Sequence, residues 1–205
     1  MITTIPMKQA CTLFNMPVDT PIVTTDALAT PEQDAKILYA FVAHLKPKHL
    51  LEIGTFYGHT TYGFALNSPE SVIYTIDIHA GMQIPVPGFQ QRELLTQADV
   101  GMLFKEKKTN IRQRFGDSRL IETYDDIPAI DFAYIDGNHT HDAIITDSTH
   151  VLSLMNNNGV IFWHDYKDDG HVETKQALED LSKKTGLTIF HIEDSWLAFA
   201  KTGNV

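Results

Sequence analysis

Apolar positions along the chain follow two rhythms, short continuous runs and longer stripes spaced by three and four residues. Alternation of the two predicts strands separated by helices. The first clear stripe follows Thr30-Pro31-Glu32-Gln33-Asp34, where a capping hydroxyl, a proline and early acids mark a helix start. Ile37, Leu38, Phe41, Val42 and Leu45 then share one face before Pro47, so the spacing predicts a helix over 31–46. Further stripes run through Tyr62, Phe64, Ala65 and Leu66, through Ala143, Ile144, Ile145, Val151, Leu152 and Leu154, and through Ala177, Leu178 and Leu181. The last two are closed by Asn156-Asn157-Asn158-Gly159 and by Gly186.

Between these stripes, runs at 49–53, 71–76, 111–115, 130–135 and 160–163 predict strands. Crossovers this short between strands imply parallel, right-handed units. Two final runs, 187–192 and 196–200, are separated only by Glu193-Asp194-Ser195, which forces an antiparallel pair. The expectation is an α/β domain over 31–205, an open, mostly parallel sheet of seven strands with helices on both faces. Residues 1–30 show no periodicity and read as an irregular arm. Residues 80–110 interrupt the alternation. Gly81 to Phe89 is too rich in proline and glycine for a helix, and Arg92 to Lys108 reads as a loosely amphipathic one. That insert follows a strand's carboxyl end, where ligands bind in open sheets, so it is expected to be a lid or substrate wall.

Composition narrows the partners. The 205 residues are 43% hydrophobic and 20% charged, as in an ordinary soluble domain. A formal net charge of -10 disfavours nucleic acid, which demands clustered cations, and leaves a small molecule as the expected partner. No apolar run is long enough to span a membrane and Met1 to Ala10 has no secretory core, so a cytoplasmic location is expected. Cys11 is the only cysteine, so any metal would take oxygen and imidazole ligands. Assembly into a homo-oligomer is left open.

The candidate chemistry gathers at strand ends. Leu50 to Thr61 reads as strand, glycine turn and helix start, the layout of a nucleotide-type cofactor turn. Phe56 occupies the place of the central glycine of G-x-G-x-x-G, which counts against a pyrophosphate. Glu52, Asp77, Asp117, Asp136, His139, His164 and Asp165 all follow strands and converge on one edge of a parallel sheet.

Glu52-Ile53-Gly54-Thr55-Phe56-Tyr57-Gly58-His59-Thr60 resembles the first motif of class I S-adenosylmethionine-dependent methyltransferases with a Rossmann-like sheet. The resemblance is to the small-molecule O-methyltransferases, and the final strand pair agrees with it over about residues 30–201. It implies that Glu52, Gly54, Thr55, Tyr57, Gly58, Asp77, Ile78, Asp117, Ser118 and Asp136 hold S-adenosylmethionine, with Asp77 on the ribose and Asp117 and Ser118 beside the adenine. Asp136-Gly137-Asn138-His139 and Trp163-His164-Asp165-Tyr166 resemble two motifs of the metal-dependent sugar, macrolide and catechol-type members. The implied cation ligands are Asp136, His164 and Asp165. An imidazole among them suits Mn, Fe or Zn better than Mg.

The resemblance also makes His139 the catalytic base, with His141 and Lys167 as rivals. The plain readings stand beside these: His139 as a helix-start residue, His164 and Asp165 as a structural pair, Trp163 and Tyr166 as packing. Two other functions remain open at this point. One is a metal-dependent hydrolase using Asp136, His139, His164 and Asp165, and the other is a non-catalytic binding protein. A nicotinamide oxidoreductase fits least, given Phe56 and the closing hairpin.

Overall fold

Leu50 and Leu51 are both fully buried, on opposite faces of one strand, and that double burial is the key to the architecture. In the computed structural model, which describes residues 2–25, 30–82, 84, 94–107, 109–167 and 172–203, a single sheet has helices against both faces. The strands are β1 (Thr3–Ile5), β2 (His49–Ile53), β3 (Val72–Asp77), β4 (Ile111–Phe115), β5 (Ile130–Ile135), β6 (Met155–Trp163), β7 (Ile189–Ile192) and β8 (Ala198–Lys201). Their order is β1-β7-β8-β6-β5-β2-β3-β4, all parallel except β8, which runs antiparallel to β6 and β7.

Helices α1 (Met7–Leu13), α2 (Glu32–Leu45) and α3 (His59–Asn67) cover one face, where Phe41, Phe64, Phe132, Phe162 and Phe199 pack together. On the other, α4 (His141–Leu154) and α5 (Val172–Thr185) meet Ile53, Ile135, Trp163 and Leu178. Residues alternate along each strand between these two cores, as Phe132 and Tyr134 do against Ala133 and Ile135. Strands buried on both sides therefore read as continuous apolar runs rather than alternating ones. Trp163 and Tyr166 are buried packing residues, and the Trp163 indole N–H donates to Ser148 Oγ at 2.8 Å.

Several details differ from the expectation. The sheet has eight strands, because Thr3–Ile5 of the arm pairs in parallel with β7, and α1 follows it. Three residues with one buried side chain, Ile5, are too short to show a period. Residues 94–107 form successive turns, closed by bonds such as Val100 N–H to Thr96 O, in place of the expected helix. The rest of the expected lid, residues 83, 85–93 and 108, lies outside the described residues. Asn156 to Gly159 belong to β6, whose register against β5 shifts there, instead of closing α4. Thr30 does not cap α2. Its hydroxyl lies 3.1 Å from that of Thr60, and Pro31 precedes the helix with no side-chain cap.

The sheet order reverses direction between β2 and β5, and the crevice beyond their carboxyl ends is where an open α/β sheet binds ligands. Backbone bonds past the strand ends keep this edge in register: Gly54 N–H to Ile76 O, Asp136 N–H to Ile53 O, and His164 N–H to Ile135 O.

Candidate active site

A cleft opens at that crevice, lined by Gly54, Phe56, Asp77, Ile78, Gly116 to Arg119, Asp136 to Asn138, Ala143 and Asp147, with apolar walls from Ile53, Ile76, Ile84, Leu94, Leu95 and Val100. Gly54 has φ of +97°, and a Cβ there would come within 2.1 Å of the Asp136 carbonyl oxygen. Only glycine allows the two strand ends to approach so closely. Asp77 fixes the turn: its Oδ2 accepts from Thr55 N–H at 2.9 Å and Phe56 N–H at 2.7 Å, its Oδ1 from Ile78 N–H at 2.7 Å. Burial raises its pKa, and these three N–H groups partly oppose the rise.

Six of the ten expected cofactor residues line the cleft: Gly54, Asp77, Ile78, Asp117, Ser118 and Asp136. The other four, Glu52, Thr55, Tyr57 and Gly58, do not line it. Glu52 points to the α3 side, fully buried, where its Oε2 accepts from the hydroxyls of Thr61 and Thr75. Burial pushes its carboxyl up to about 8 against the pull of those two hydroxyls. Thr55 Oγ1 lies 2.6 Å from Thr75 Oγ1, Tyr57 packs on Phe56, and Gly58 with φ of +88° makes room for Phe104. Asp117 meets Arg119 through two side-chain bonds, Nε to Oδ1 at 2.8 Å and Nη2 to Oδ2 at 2.6 Å, and this pairing lowers its pKa.

Where the cleft reaches β5 and β6 the polar side chains become dense. His139 Nε2 lies 2.8 Å from Asp165 Oδ2 and 3.8 Å from Asp136 Oδ1. His164 Nδ1 is 3.4 Å from both of those carboxylates, while its Nε2 is 3.2 Å from Asp34 Oδ2. Tyr134 donates to Asp136 Oδ2 at 2.9 Å, and Lys167 Nζ sits 3.6 Å from Asp165 Oδ1 and over the Trp196 ring. Asp165 takes up φ of +57°, a costly left-handed backbone for a non-glycine residue, which turns its carboxylate toward the cluster.

The charges hold one another. Burial works against ionisation of Asp136 and Asp165, yet bonds from His139 and His164 bring both well below the usual carboxylate range. Asp136 and Asp165 raise His139 to about 9. Burial opposes protonation of His164, but Asp136, Asp165 and Asp34 together raise it to about 11. His164 is thus a fixed internal cation beneath two carboxylates. The rival base His141 lies elsewhere, its N–H on Glu173 and its ring between Asp142 and Asp180.

Residues 51–166, more than half of the chain, match the profile of a family described as "Methyltransferase domain". The chain belongs to this methyltransferase family. No curated protein matches it. Among solved structures, cofactor-bound Rv0187 from MTB aligns with 17% identity and a TM-score of 0.60, covering 97% of this chain and 88% of that one. An O-methyltransferase from Bacillus cereus in complex with SAH aligns at 14% and 0.58, covering 96% and 88%. TomG from Streptomyces achromogenes, an O-methyltransferase of tomaymycin synthesis in complex with SAM, aligns at 18% and 0.55, covering 96% and 87%. At such identities these structures establish a shared fold. Membership of the family sets aside the hydrolase alternative.

Two buried acids near this edge lie outside the strand-end pattern. Asp34 reads in sequence as a first-turn acid for the helix dipole, but it is 1% exposed and accepts from Trp196 N–H as well as facing His164. A signal existed: Asp34 shares the apolar stripe with Leu38, Phe41 and Val42, where an acid needs a buried partner. Asp147, likewise 1% exposed, lies on the apolar face of α4 with Ala143, Ile144 and Val151. Among the described residues, Asp136, His139 and Asp165 offer ligand atoms that all lie within 4.8 Å of one another, so His139 enters this group where His164 was expected.

Proposed function

We propose that the protein is an S-adenosylmethionine-dependent O-methyltransferase for a small hydroxylated molecule, assisted by a divalent cation. The observation that carries this reading is the double position of Asp136. It lines the cleft that begins at Gly54 and also belongs to the cluster of His139, His164 and Asp165. A donor in the cleft and an acceptor at the cluster would therefore be neighbours, which is what in-line group transfer requires.

The residues present fit both absent groups. Gly54 leaves a cradle that a Cβ would fill, Asp77 places a half-buried carboxylate in the wall, and apolar side chains flank a slot suited to a flat ring. The carboxylates of Asp136 and Asp165 make an oxygen donor pair suited to a divalent cation. When bound, S-adenosylmethionine supplies an electrophilic methyl group and the cation supplies charge stabilisation to an oxygen losing its proton.

The chain's own residues do the rest. Asp136 and Asp165 orient His139, whose Nε2 faces the shared edge and is our choice to receive the acceptor's hydroxyl proton. Uncompensated, the same carboxylates keep His139 protonated to about pH 9, and compensating their charge returns it to the range where it can accept. Asp34 and Trp196 hold His164 from behind, so the carboxylates keep their positions.

Calorimetry of the full chain with S-adenosylhomocysteine tests the first half, and methyl turnover on catechols and sugars with and without Mn²⁺ tests the second. Micromolar binding and turnover that Mn²⁺ increases are expected. Absence of heat with either S-adenosylmethionine or S-adenosylhomocysteine would overturn the reading.

A further inference from the structure

Asp147 is a buried acid for which the chemistry above has no use. It sits on the second turn of α4, 1% exposed, and contributes to the floor of the cleft between Gly137 and Ser118. A Cβ on Gly137 would lie 3.7 Å from its Oδ2. Ser118 hydrogen-bonds the carboxyl, while Oδ1 has no hydrogen-bond partner among the described residues. A buried acceptor left open costs free energy unless a ligand fills it.

Its surroundings define that ligand. This end of the cleft is bounded by the loop after β4, at the sheet's edge, and by α4. The walls here are apolar, from Ile78, Leu94, Leu95 and Ala143, and they suit a planar base. The acid that follows β4, Asp117, is already engaged: Arg119 occupies both of its oxygens and its own backbone N–H adds a third bond at 3.0 Å. A ring with an exocyclic amine entering this end meets Asp147, whose buried Oδ1 carries no hydrogen bond among the described residues.

We propose that Asp147 Oδ1 receives the exocyclic amine of the cofactor's adenine, and that Asp147 rather than Asp117 makes the site select adenine over its deaminated form. The inference rests on the cofactor reading above. Burial lifts the Asp147 carboxyl to about 6 against the bond from Ser118, in keeping with an acid that lacks a full set of donors, and His150, Asp117 and Arg119 are the charged groups around it. The deaminated base presents a carbonyl oxygen in place of the amine, which sets acceptor against acceptor.

Calorimetry of the full-length protein with S-adenosylhomocysteine and with S-inosylhomocysteine tests this. Wild type is expected to favour the adenosyl ligand by about 10- to 100-fold, the usual consequence of leaving a buried polar group unsatisfied. Asp147→Asn offers an amide that can donate to the carbonyl, so the preference is expected to collapse to within about threefold or invert. Asp117→Asn is expected to weaken both ligands alike and keep the preference. Should Asp147→Asn melt too low for binding to be read, Asp147→Ser, too short to reach the base, is expected to lose the preference as well.

A folded Asp147 variant with the wild-type preference would overturn the proposal, as would collapse of the preference in Asp117→Asn. If neither ligand binds wild type, the cofactor reading itself fails and takes this inference with it. Adenosyl binding with the preference unmoved by Asp147 defeats the inference alone.

Discussion

His164 Nε2 lies 3.2 Å from Asp34 Oδ2, a contact that joins the first turn of α2 to the end of β6 across 130 residues of chain. Both side chains are buried, so each is the other's polar partner in the interior. Asp34 also accepts the Trp196 N–H. Asp34→Ala leaves a buried imidazolium and a buried N–H without their acceptor. A loss of roughly 3–5 kcal/mol is expected, read as a lowered urea midpoint. Affinity for S-adenosylhomocysteine should change little, because Asp34 does not line the cleft. A melting curve identical to wild type would contradict the role assigned to the pair.

His139 stands between two carboxylates at the edge where the acceptor would sit. His139→Ala is expected to lower kcat by roughly 10²–10⁴-fold, the usual contribution of a positioned base, with cofactor affinity within a few-fold of wild type. Single-turnover rates at saturating cofactor separate the two effects. Activity within threefold of wild type would move the base elsewhere, with Lys167 next in line at 3.6 Å from Asp165.

Much of this was legible in the sequence, and the boundary between what was and was not is physical. Strands buried on both faces announce themselves as apolar runs, so β2 to β8 and the helices α2 to α5 follow from periodicity. Acids and histidines at strand ends mark the site's edge because a parallel sheet brings all such ends together. Direction of a side chain at a strand end is another matter. Glu52 and Asp77 both close strands, but one turns beneath the glycine turn and the other into it, and that depends on register. Asp147 and Arg119 come from outside the strand-end positions and only tertiary packing brings them there, whereas Asp34 left a trace, an acid on the apolar stripe of α2, that names no partner.

Metal retention separates the carboxylates from the two imidazoles. Asp136 and Asp165 offer oxygen atoms within 4.8 Å of one another, His139 serves as the base, and His164 is drawn back toward Asp34. After equilibration with Mn²⁺ and desalting, Asp136→Asn and Asp165→Asn are expected to lose at least tenfold in metal affinity, and His139→Ala to stay within about threefold of wild type. His164→Asn should lose less in metal and more in thermal stability. A tenfold loss in His139→Ala would make that imidazole a ligand and pass the base to Lys167.

Gly54→Ala tests the close approach of β2 and β5. The new methyl would stand 2.1 Å from the Asp136 carbonyl oxygen at a backbone φ of +97°. Strain of that kind costs about 1–3 kcal/mol before any clash is counted, so destabilisation of at least about 2 kcal/mol is expected. Because the turn and Asp136 both line the cleft, binding of S-adenosylhomocysteine should fall below detection even at temperatures where the variant is folded. Unchanged affinity would mean that the turn does not form the cofactor's cradle.

Glu52 makes stability depend on pH in a direction opposite to that of an ordinary salt-bridged acid. Its carboxyl is pushed up to about 8 in the folded protein, from an ordinary value of 4.5. Between those limits the folded state keeps a proton that the unfolded chain gives up. The unfolded state therefore binds fewer protons, and its contribution to stability is present in full below about pH 4.5 and is lost as pH rises through about 8. At most about 5 kcal/mol is at stake, since each unit of displacement is worth about 1.4 kcal/mol. Glu52→Gln keeps an uncharged group beside Thr61 and Thr75, so it is expected to match wild type near pH 5 and to exceed it in urea midpoint at pH 8. Parallel pH profiles for the two proteins would show that Glu52 is ionised in the fold, with a compensating partner at its Oε1.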